Sequence, residues 1–448
     1  MNAILRSPRM HLACLLLCCL LALTACDVKK TSTKTKSGDT AMLRNQIPPL
    51  FNPHRTSFIC VYRDAVVPPV DPMAEALVQE AQWVEWNNGS PSWEKDKLWP
   101  HIIELNRRAA ALGSWKARLN LVNLRLEGHG EQCGLPRDSE AAVREVEAEM
   151  ARGIPDAWET MGRFYEQGIG VNPSSTKAYA FYQRAAEMGS PAAQTFLGEQ
   201  LDATYDDPKA GFWGNEVNGR QMLECAVAQG YGPAAYELGM SLGVTGEDNP
   251  ADKVKAFKVL HEGVKMGNAD CANALASKLR NPQGRTSVAP LGVDLSRSER
   301  YDSIGNSLGW YEGSGLTLPN LDKILLPPWD GNRDSLIEAA RPVRVLNNTP
   351  PPTYPAAPSA GQSRRVLPEP SIFLQGGDRP TAQKQAPATG VWQARMNPDH
   401  PLANLVNGNP LRQCWVMAGD AMPDPQRDWL VADGLIAHDL VWRFLVKA

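Results

Sequence analysis

A glycine recurs through the middle of the chain at a nearly constant interval, and this period constrains the fold more than any other feature. The spacings between successive copies are 40, 36, 41 and 37 residues, for Gly113, Gly153, Gly189, Gly230 and Gly267. This period is typical of helical-hairpin repeats, in which one unit is too small to bury its own apolar face and stacks on its neighbours. The sequence therefore predicts an array of stacked hairpins.

The residues that follow each glycine keep the same character from copy to copy. Four positions later the residue is small: Ala117, Ala157, Ala193, Ala234 and Cys271. Eight positions later it is apolar: Leu121, Met161, Leu197, Leu238 and Leu275. Nine positions later it is mostly small: Val122, Gly162, Gly198, Gly239 and Ala276. Small residues let two helices approach closely, and a glycine ends a helix in the left-handed conformation. We predict one helix over about 191–201 and the helix before it over about 174–188.

The copy from Gly162 to Gly198 resembles the Sel-one-like repeat family, a relative of the tetratricopeptide repeats. The matching residues are Gly162, Tyr165, Gly168, Gly170, Val171, Lys177, Ala178, Tyr182, Ala185, Ala186, Gly189, Ala192 and Ala193. The resemblance covers roughly residues 98–280, and the copies closing at Gly113, Gly230 and Gly267 are degenerate. It implies a mainly α fold, a right-handed solenoid of helical hairpins.

Segments on both sides extend the predicted solenoid to residues 47–312. Asp71 is placed to cap a helix that has Pro72 at its first position, and a second helix is predicted over about 97–112. These two helices would form an atypical first repeat. Residues 57–62 (SFICVY) are a strand candidate, and residues 295–311 a last helix that covers the open end.

The first residues resemble a bacterial lipoprotein signal. Arg6 and Arg9 precede an apolar run, residues 12–25, that is short for a spanning helix and ends in Leu-Thr-Ala before Cys26. The resemblance implies that residues 1–25 are removed and that Cys26 carries a lipid such as palmitate. The alternatives are an ordinary signal peptide or a short anchor. Residues 26–46 are polar and predict a flexible tether.

Export would leave five cysteines in the folded body: Cys60, Cys133, Cys225, Cys271 and Cys414. The periplasm is oxidising and favours a disulfide, while the odd number leaves at least one thiol unpaired. We predict a pairing of Cys60 with Cys133.

The last third of the chain changes character. Residues 313–389 are rich in proline and predict a linker or a strap lying on the solenoid. Residues 390–448 contain apolar, aromatic runs typical of strands (VWQARM, RQCWVM and VWRFLV) and predict a small β-rich or mixed module.

Catalytic patterns are scarce. The sequence contains no HExxH, G-x-S-x-G, phosphate-binding glycine loop or CxxC pair. Cys414 with His400 or His438 is a catalytic candidate, but the spacing matches no family pattern and a packed thiol is the simpler reading. We predict a protein that is not an enzyme and holds no metal or cofactor. The net charge of −3 without a basic stripe argues against nucleic acid as a partner.

The candidate binding residues lie off the core register of the repeats. Six positions after a repeat glycine come Glu159, Thr195 and Tyr236, and ten positions after come Arg163, Glu199 and Met240. We expect these positions to line one face of the array. Phe212 and Trp213, in an insertion within one repeat, are a second candidate because loop aromatics often anchor an interface.

The whole arrangement resembles repeat lipoproteins of Gram-negative bacteria. Residues 47–50 (IPPL) and 327–331 (PPWDG) carry this wider match. Several such proteins act as immunity proteins against type VI secretion lipase effectors. The resemblance implies a lipid-anchored periplasmic protein that binds and neutralises a secreted phospholipase. The alternative is a repeat scaffold that organises an envelope complex.

Overall fold

Residues 42–448 form one compact unit in the computed structural model. The structure describes residues 47–87, 97–202, 214–245, 250–281, 293–311, 315–322, 333–343, 378–380, 385–400, 402–429, 435 and 437–447. The predicted signal peptide, Cys26, the tether, and Phe212 with Trp213 lie outside these ranges.

The described helices confirm a mainly α repeat array. A short helix α1 (Arg63–Val66) precedes pairs of antiparallel helices, each formed by an A helix and the B helix that follows it. The A helices are α2 (Pro72–Asn87), α4 (Trp115–Glu127), α6 (Pro155–Gln167), α8 (Pro191–Leu201), α10 (Gly232–Thr245) and α12 (Ala269–Arg280). The B helices are α3 (Trp99–Ala111), α5 (Ser139–Ala151), α7 (Ser175–Glu187), α9 (Glu216–Ala228), α11 (Pro250–Lys265) and α13 (Leu295–Leu308).

Each repeat glycine makes the turn from a B helix into the next A helix. Its φ angle lies between +79° and +104° in all five copies, which is the left-handed region that glycine adopts without strain. Ser114, Ser190 and Asn268 follow three of these glycines, and each accepts a hydrogen bond from a backbone N–H in the first turn of the A helix. The local sequence therefore stops one helix and starts the next.

The predicted small-residue register lies at the contact between A and B helices. All five residues four positions after the glycines are fully buried. A Cβ atom on Gly162 would lie 2.8 Å from Cδ1 of Tyr182, and one on Gly198 would lie 2.8 Å from Cγ of Leu223. Because an added methyl group would force the paired helices apart, glycine at these positions is a packing requirement.

The strand predicted at residues 57–62 is wrong. Residues 51–62 instead cross the B helices α7 and α9 without regular secondary structure. Side-chain amides on these helices form hydrogen bonds with the backbone of the segment. Gln183 Oε1 accepts from Asn52 N at 2.8 Å, and Asn218 Nδ2 donates to the carbonyl oxygen of Arg55 at 2.7 Å. The apolar pattern of a strand is present, but the partners are helix side chains rather than another strand.

The predicted disulfide between Cys60 and Cys133 is also wrong. Cys60 bonds to Cys225, with 5.6 Å between the Cα atoms and 165 residues between them in the sequence. Cys225 is buried on α9, directly beneath the segment that carries Cys60. Cys133 is free and lies in the connection between α4 and α5, where its carbonyl oxygen accepts a hydrogen bond from Arg107.

The described part of the Pro-rich region lies on the solenoid as a strap. Leu316, Leu318 and Leu321 are buried in the same apolar cluster as α10 to α13, and helix α14 (Arg333–Ala340) packs there too. The guanidinium of Arg341 lies 5.1 Å from the ring centroid of Trp83 on α2. The strap therefore joins the last repeats to the first helix pair.

The C-terminal module is a four-stranded antiparallel sheet in the order β1-β4-β2-β3. Its strands are β1 (Asp378–Pro380), β2 (Gly390–Met396), β3 (Gln413–Val416) and β4 (Leu440–Lys447), with short helices α15 (Ala403–Val406) and α16 (Pro425–Asp428). Trp392 and Trp442 are the largest side chains buried in its core. Strand β1 precedes Gly390, where we predicted the module to begin.

Gln413 binds the backbone of Val343 through both its amide oxygen and its amide nitrogen, so the module is attached to the strap.

Candidate partner-binding surface

Segments outside the repeats cover one side of the array, the turn edge, which we define as the five B-to-A turns at the repeat glycines. A Cβ atom on Gly189 would lie 2.8 Å from the backbone nitrogen of Arg63, one on Gly230 would meet Leu411 of the module, and one on Gly267 would overlap the carbonyl oxygen of Leu316 in the strap. Among the described residues, no atom lies within 4 Å of a Cβ atom placed on Gly113 or Gly153. Three successive turns are thus covered by three different parts of the chain.

The groove between the B helices α7 and α9 is also filled, and its end near Val61 is closed by Gln194 of the A helix α8. We call it the B-helix groove, and residues 51–63 occupy it. Beyond the two bonds given above, Asn215 Nδ2 donates to the carbonyl oxygens of Pro53 and Arg55, both at 2.9 Å. Gln194 Nε2 donates to the carbonyl oxygen of Val61 at 3.2 Å, and the ring of Phe51 lies 5.3 Å from that of Tyr179.

Polar side chains remain accessible on the A helices: Glu199 and Asp270 are exposed, and Glu159, Arg163 and Glu237 are half-buried. We define the A-helix surface by Glu159, Arg163, Glu199, Glu237 and Asp270, which lie on α6, α8, α10 and α12. Arg163 Nη2 donates to Asn123 Oδ1 of α4 at 3.5 Å. Asn123 and Arg163 both stand ten positions after a repeat glycine, so equivalent positions of successive A helices are neighbours, as expected.

Glu159 lies where surrounding protein displaces most of its water. Burial raises its pKa to about 7, Arg163 acts in the opposite direction, and Asp156 one turn earlier adds to the rise. Part of the side chain stays accessible. Glu159 is therefore a carboxyl group that a cation from outside would help to ionise.

A second carboxyl group with the same property lies further along the surface. Burial raises the pKa of Glu237 to about 7, and the charges of Glu199, Asp202 and Asp270 add to it. Glu199 lies on α8 and Asp202 directly follows that helix, whereas Glu237 lies on α10 and Asp270 on α12. The acidic groups of three repeats therefore act on one another. The A-helix surface has a negative potential along this stretch.

Two of the predicted positions do not lie on this surface as expected. Thr195 is buried, and its hydroxyl group donates to the carbonyl oxygen of Pro191 at 2.7 Å. Tyr236 is partly buried against the apolar cluster of α9 to α13, while Met240 keeps part of its surface accessible. The position six residues after the glycine is buried or half-buried in all three repeats. A single offset from the glycine therefore does not predict one surface throughout.

Glu237 and Asp270 were missed at the level of sequence, although the repeat register contained a signal for Asp270. Asp156 and Asp270 both stand three positions after a repeat glycine, and Glu166 and Asp202 both stand thirteen positions after one. These recurrences of acidic residues follow the same register as the core alanines.

Arg63 was also missed, and it connects the N-terminal segment to the start of two A helices. Its Nη1 donates to Asp156 Oδ1 on α6 at 3.0 Å, and its guanidinium lies 5.3 Å from the ring centroid of Trp115 on α4. Its backbone nitrogen donates to Gln229 Oε1 at 2.8 Å. Burial alone would lower the pKa of Arg63, but Asp156 and Asp64 raise it above its ordinary value. Arg63 therefore stays charged and links three repeats, those of Trp115, Asp156 and Gln229.

The catalytic candidate in the module lacks an activated thiol. Burial raises the pKa of Cys414 well above its usual value, which opposes formation of the thiolate. Within the described ranges, no three His, Cys, Asp or Glu side chains come together in a way that would hold a metal ion. None of the helices described combines the length and the apolar character needed to cross a membrane.

The fold and this surface define the class of the protein: it is a helical-hairpin repeat protein with a strap and a small β-sheet module. No protein-family model matches the chain. A curated relative, chitin synthase regulatory factor 3 of Schizosaccharomyces pombe, is 34% identical over 93 residues, which is 21% of this chain. The match spans only 10% of the length of that relative.

Several solved structures are similar to the chain. Immunity protein Pa5087 of Pseudomonas aeruginosa is 27% identical, with a TM-score of 0.45, over 61% of this chain and 95% of that one. Immunity protein PA5088 of the same organism is 26% identical, with a TM-score of 0.44, over the same shares. A Sel1 repeat protein from Oxalobacter formigenes is 21% identical, with a TM-score of 0.37, over 52% of this chain and 87% of that one. Both kinds of protein in the sequence resemblance, the repeat family and the immunity proteins, are thus among the matches.

Proposed function

We propose that the protein is a lipid-anchored periplasmic immunity protein that binds a secreted antibacterial effector through its A-helix surface. The observation that carries the choice of surface is the placement of the non-repeat segments. They fill the B-helix groove and cover the turn edge at Gly189, Gly230 and Gly267. Side chains such as Glu199 and Asp270 on the A helices stay exposed.

The charge of this surface indicates what the partner presents to it. Glu159 and Glu237 both have pKa values raised to about 7, and Glu199, Asp202 and Asp270 lie near the second of them. Lysine or arginine side chains of a partner would favour the ionised form of both carboxyl groups, whose pKa values are raised mainly by burial, and would steer the encounter. We therefore expect the effector to meet the A-helix surface with a basic region.

The proposed location at the membrane is supported by the lipoprotein-like motif that ends at Cys26. The apolar run before Cys26 predicts export and lipidation, and a disulfide between Cys60 and Cys225 persists in an oxidising compartment. A lipid anchor would hold the protein at the surface that a secreted phospholipase attacks.

The class of effector comes from the resemblance to immunity proteins of type VI secretion lipase effectors. The proposed mechanism is steric: the solenoid covers the active-site mouth or the membrane-docking face of the phospholipase. No chemistry by this chain is required.

The first test is recovery of the partner. The chain from Asp27 onward, tagged and without its lipid, is mixed with proteins secreted by the native host while secretion is active. A secreted phospholipase recovered in one-to-one ratio, whose activity falls on mixing, is the expected result. Recovery of resident envelope proteins alone, with no enzyme inhibited, would contradict the proposal and favour the envelope scaffold.

A pair of charge reversals tests the surface. Glu199→Arg on α8 should weaken binding of the phospholipase by about tenfold or more, because it places a cation opposite the partner's basic region. Glu104→Arg on the exposed side of α3 is the matched control and should leave affinity within about twofold. Equal effects of the two variants would show that binding uses another face.

A further inference from the structure

The N-terminal segment does more than fill a groove, because it delivers a charged side chain to the A helices. Arg63 follows Cys60 by three residues and reaches Asp156 in the first turn of α6. Asp156 in turn acts on Glu159, which belongs to the A-helix surface. A covalent bond on one side of the array is thus connected to the proposed binding surface through the Arg63–Asp156 ion pair and the first turn of α6, where the Thr160 hydroxyl group contacts both the Asp156 carbonyl oxygen and Glu159 Oε2.

Between the disulfide and Arg63, each step is a contact between described residues. The disulfide joins Cys60 to Cys225 on α9, and one turn further along α9 Gln229 Oε1 accepts from the backbone nitrogen of Arg63. The turn at Gly189 lies against Val61 and Arg63 with no space for a side chain. These contacts determine where the guanidinium of Arg63 points.

Besides the disulfide, the segment is held by an ion pair between Arg55 and Glu187, by the partly buried rings of Phe51 and Phe58, and by hydrogen bonds. Ile59 is 78% exposed, and the backbone is attached largely by side-chain amides. Water can replace such hydrogen bonds at low net cost, so they do not by themselves ensure that an extended peptide stays bound. The covalent bond removes the freedom that the segment would otherwise regain by leaving.

We propose that the Cys60–Cys225 disulfide is a redox device that completes the A-helix surface only in an oxidising compartment. In the reduced chain the segment leaves the B-helix groove, Arg63 withdraws from Asp156, and the first turn of α6 loosens. The consequence for an effector rests on the proposed function, whereas the change in α6 does not. The protein would therefore gain its full affinity only after export.

The chemistry is a thiol–disulfide exchange. On oxidation the thiols of Cys60 and Cys225 lose two protons and two electrons to the disulfide of an exported dithiol oxidase, which is reduced to a dithiol. On reduction a dithiol such as dithiothreitol returns two electrons and two protons and becomes a disulfide. Cys60 is exposed, so a reagent can reach the bond.

Hydrogen exchange measured by mass spectrometry tests the device without any partner. The processed, lipidated chain in detergent is compared in oxidised form, after dithiothreitol, and as the Cys60→Ser/Cys225→Ser variant. We expect exchange to quicken by roughly tenfold or more both in residues 51–66 and in the first turn of α6, residues 155–160. Cys133→Ser, which removes a free thiol, should change neither region.

Arg63→Met with the disulfide intact separates the two steps. It should quicken exchange in residues 155–160 while residues 51–60 stay protected. Faster exchange confined to residues 51–60 in the reduced chain would overturn the proposal, as would no change in either region. If the serine variant does not fold, the reversible addition and removal of dithiothreitol on the unchanged chain gives the same comparison.

The partner assay then completes the test. Reduction should weaken binding of the effector by about tenfold, in parallel with the loss of protection in α6. Unchanged affinity after loss of that protection would overturn the link to the binding surface. Failure to find any effector would contradict the proposed function alone, because the exchange result does not depend on it.

Discussion

The turns at Gly113 and Gly153 differ from those at Gly189, Gly230 and Gly267 in what surrounds them. All five glycines have the same left-handed backbone, but within the described ranges only the last three lie against another part of the chain. The first two need glycine for its backbone conformation alone. The other three also need the absence of a side chain, because the N-terminal segment, the module and the strap dock there. One repeated residue therefore has two physical roles.

The largest expected effect comes from comparing an alanine substitution at a covered turn with one at an uncovered turn. Gly267→Ala places a methyl group on the carbonyl oxygen of Leu316 and also strains the left-handed backbone, so we expect a loss of roughly 3–5 kcal/mol in the free energy of unfolding. Gly153→Ala carries only the backbone strain and should lose about 1–2 kcal/mol. Denaturant titration of both variants gives the comparison. Equal losses would show that the strap does not press on the turn at Gly267.

Arg63 joins the covered turn at Gly189 to the helices that follow the two uncovered turns. Its removal should have the next largest effect on the free energy of unfolding. It lies beside the turn at Gly189 while its guanidinium reaches the A helices that follow Gly113 and Gly153. Arg63→Met leaves Asp156 without its partner in a largely buried place and should lower the free energy of unfolding by about 2–4 kcal/mol. Denaturant titration of the oxidised chain measures this loss.

Arg144→Met provides the control for this prediction. Arg144 and Glu140 form an exposed pair 3.8 Å apart on α5, and such pairs contribute less than about 1 kcal/mol. A comparable loss from both variants would show that Arg63 acts as an ordinary surface cation.

The smallest expected effect is a pH dependence of stability. It arises from Glu159 on the A-helix surface and not from the covered turn edge. The pKa of Glu159 is raised from 4.5 to about 7 in the folded chain. The folded state thus holds a proton that the unfolded state has released, and stability falls as pH rises from 4.5 through 7. Glu159→Gln removes this penalty and should stabilise the protein at pH values above about 7, with the gain shrinking toward acid pH.

Thermal unfolding over a pH series measures this gain. Glu104→Gln on α3 is a matched change at an exposed position. A gain for Glu159→Gln that does not change with pH would show that the variant acts through packing rather than through the proton.

The repeat itself could be predicted because its signals are local. The helix predicted over about 191–201 is observed as Pro191–Leu201, and Asp71 caps α2 by accepting from the backbone nitrogen of Met73 at 2.7 Å. Glycine turns, caps and small residues act over three to nine positions of the chain. They are therefore readable without knowledge of what packs against the helices.

The surface could be predicted only in part. Glu159, Arg163 and Glu199 were identified from their offset, whereas Thr195 is buried at an equivalent position. Burial depends on how each A helix packs against its neighbours, which the single-residue register does not contain. Phe212 and Trp213 stay a prediction.

The sequence by itself determined the array: where each helix stops, where the next begins, and which face of each A helix meets its B helix. Only the tertiary structure decided that residues 51–62 bind to helix side chains rather than to a strand, that Cys60 pairs with Cys225, and that Arg63 reaches Asp156. The physical reason is distance along the chain. Helix signals act between neighbouring residues, whereas these contacts join segments 93 to 165 residues apart, whose meeting depends on how the repeats stack.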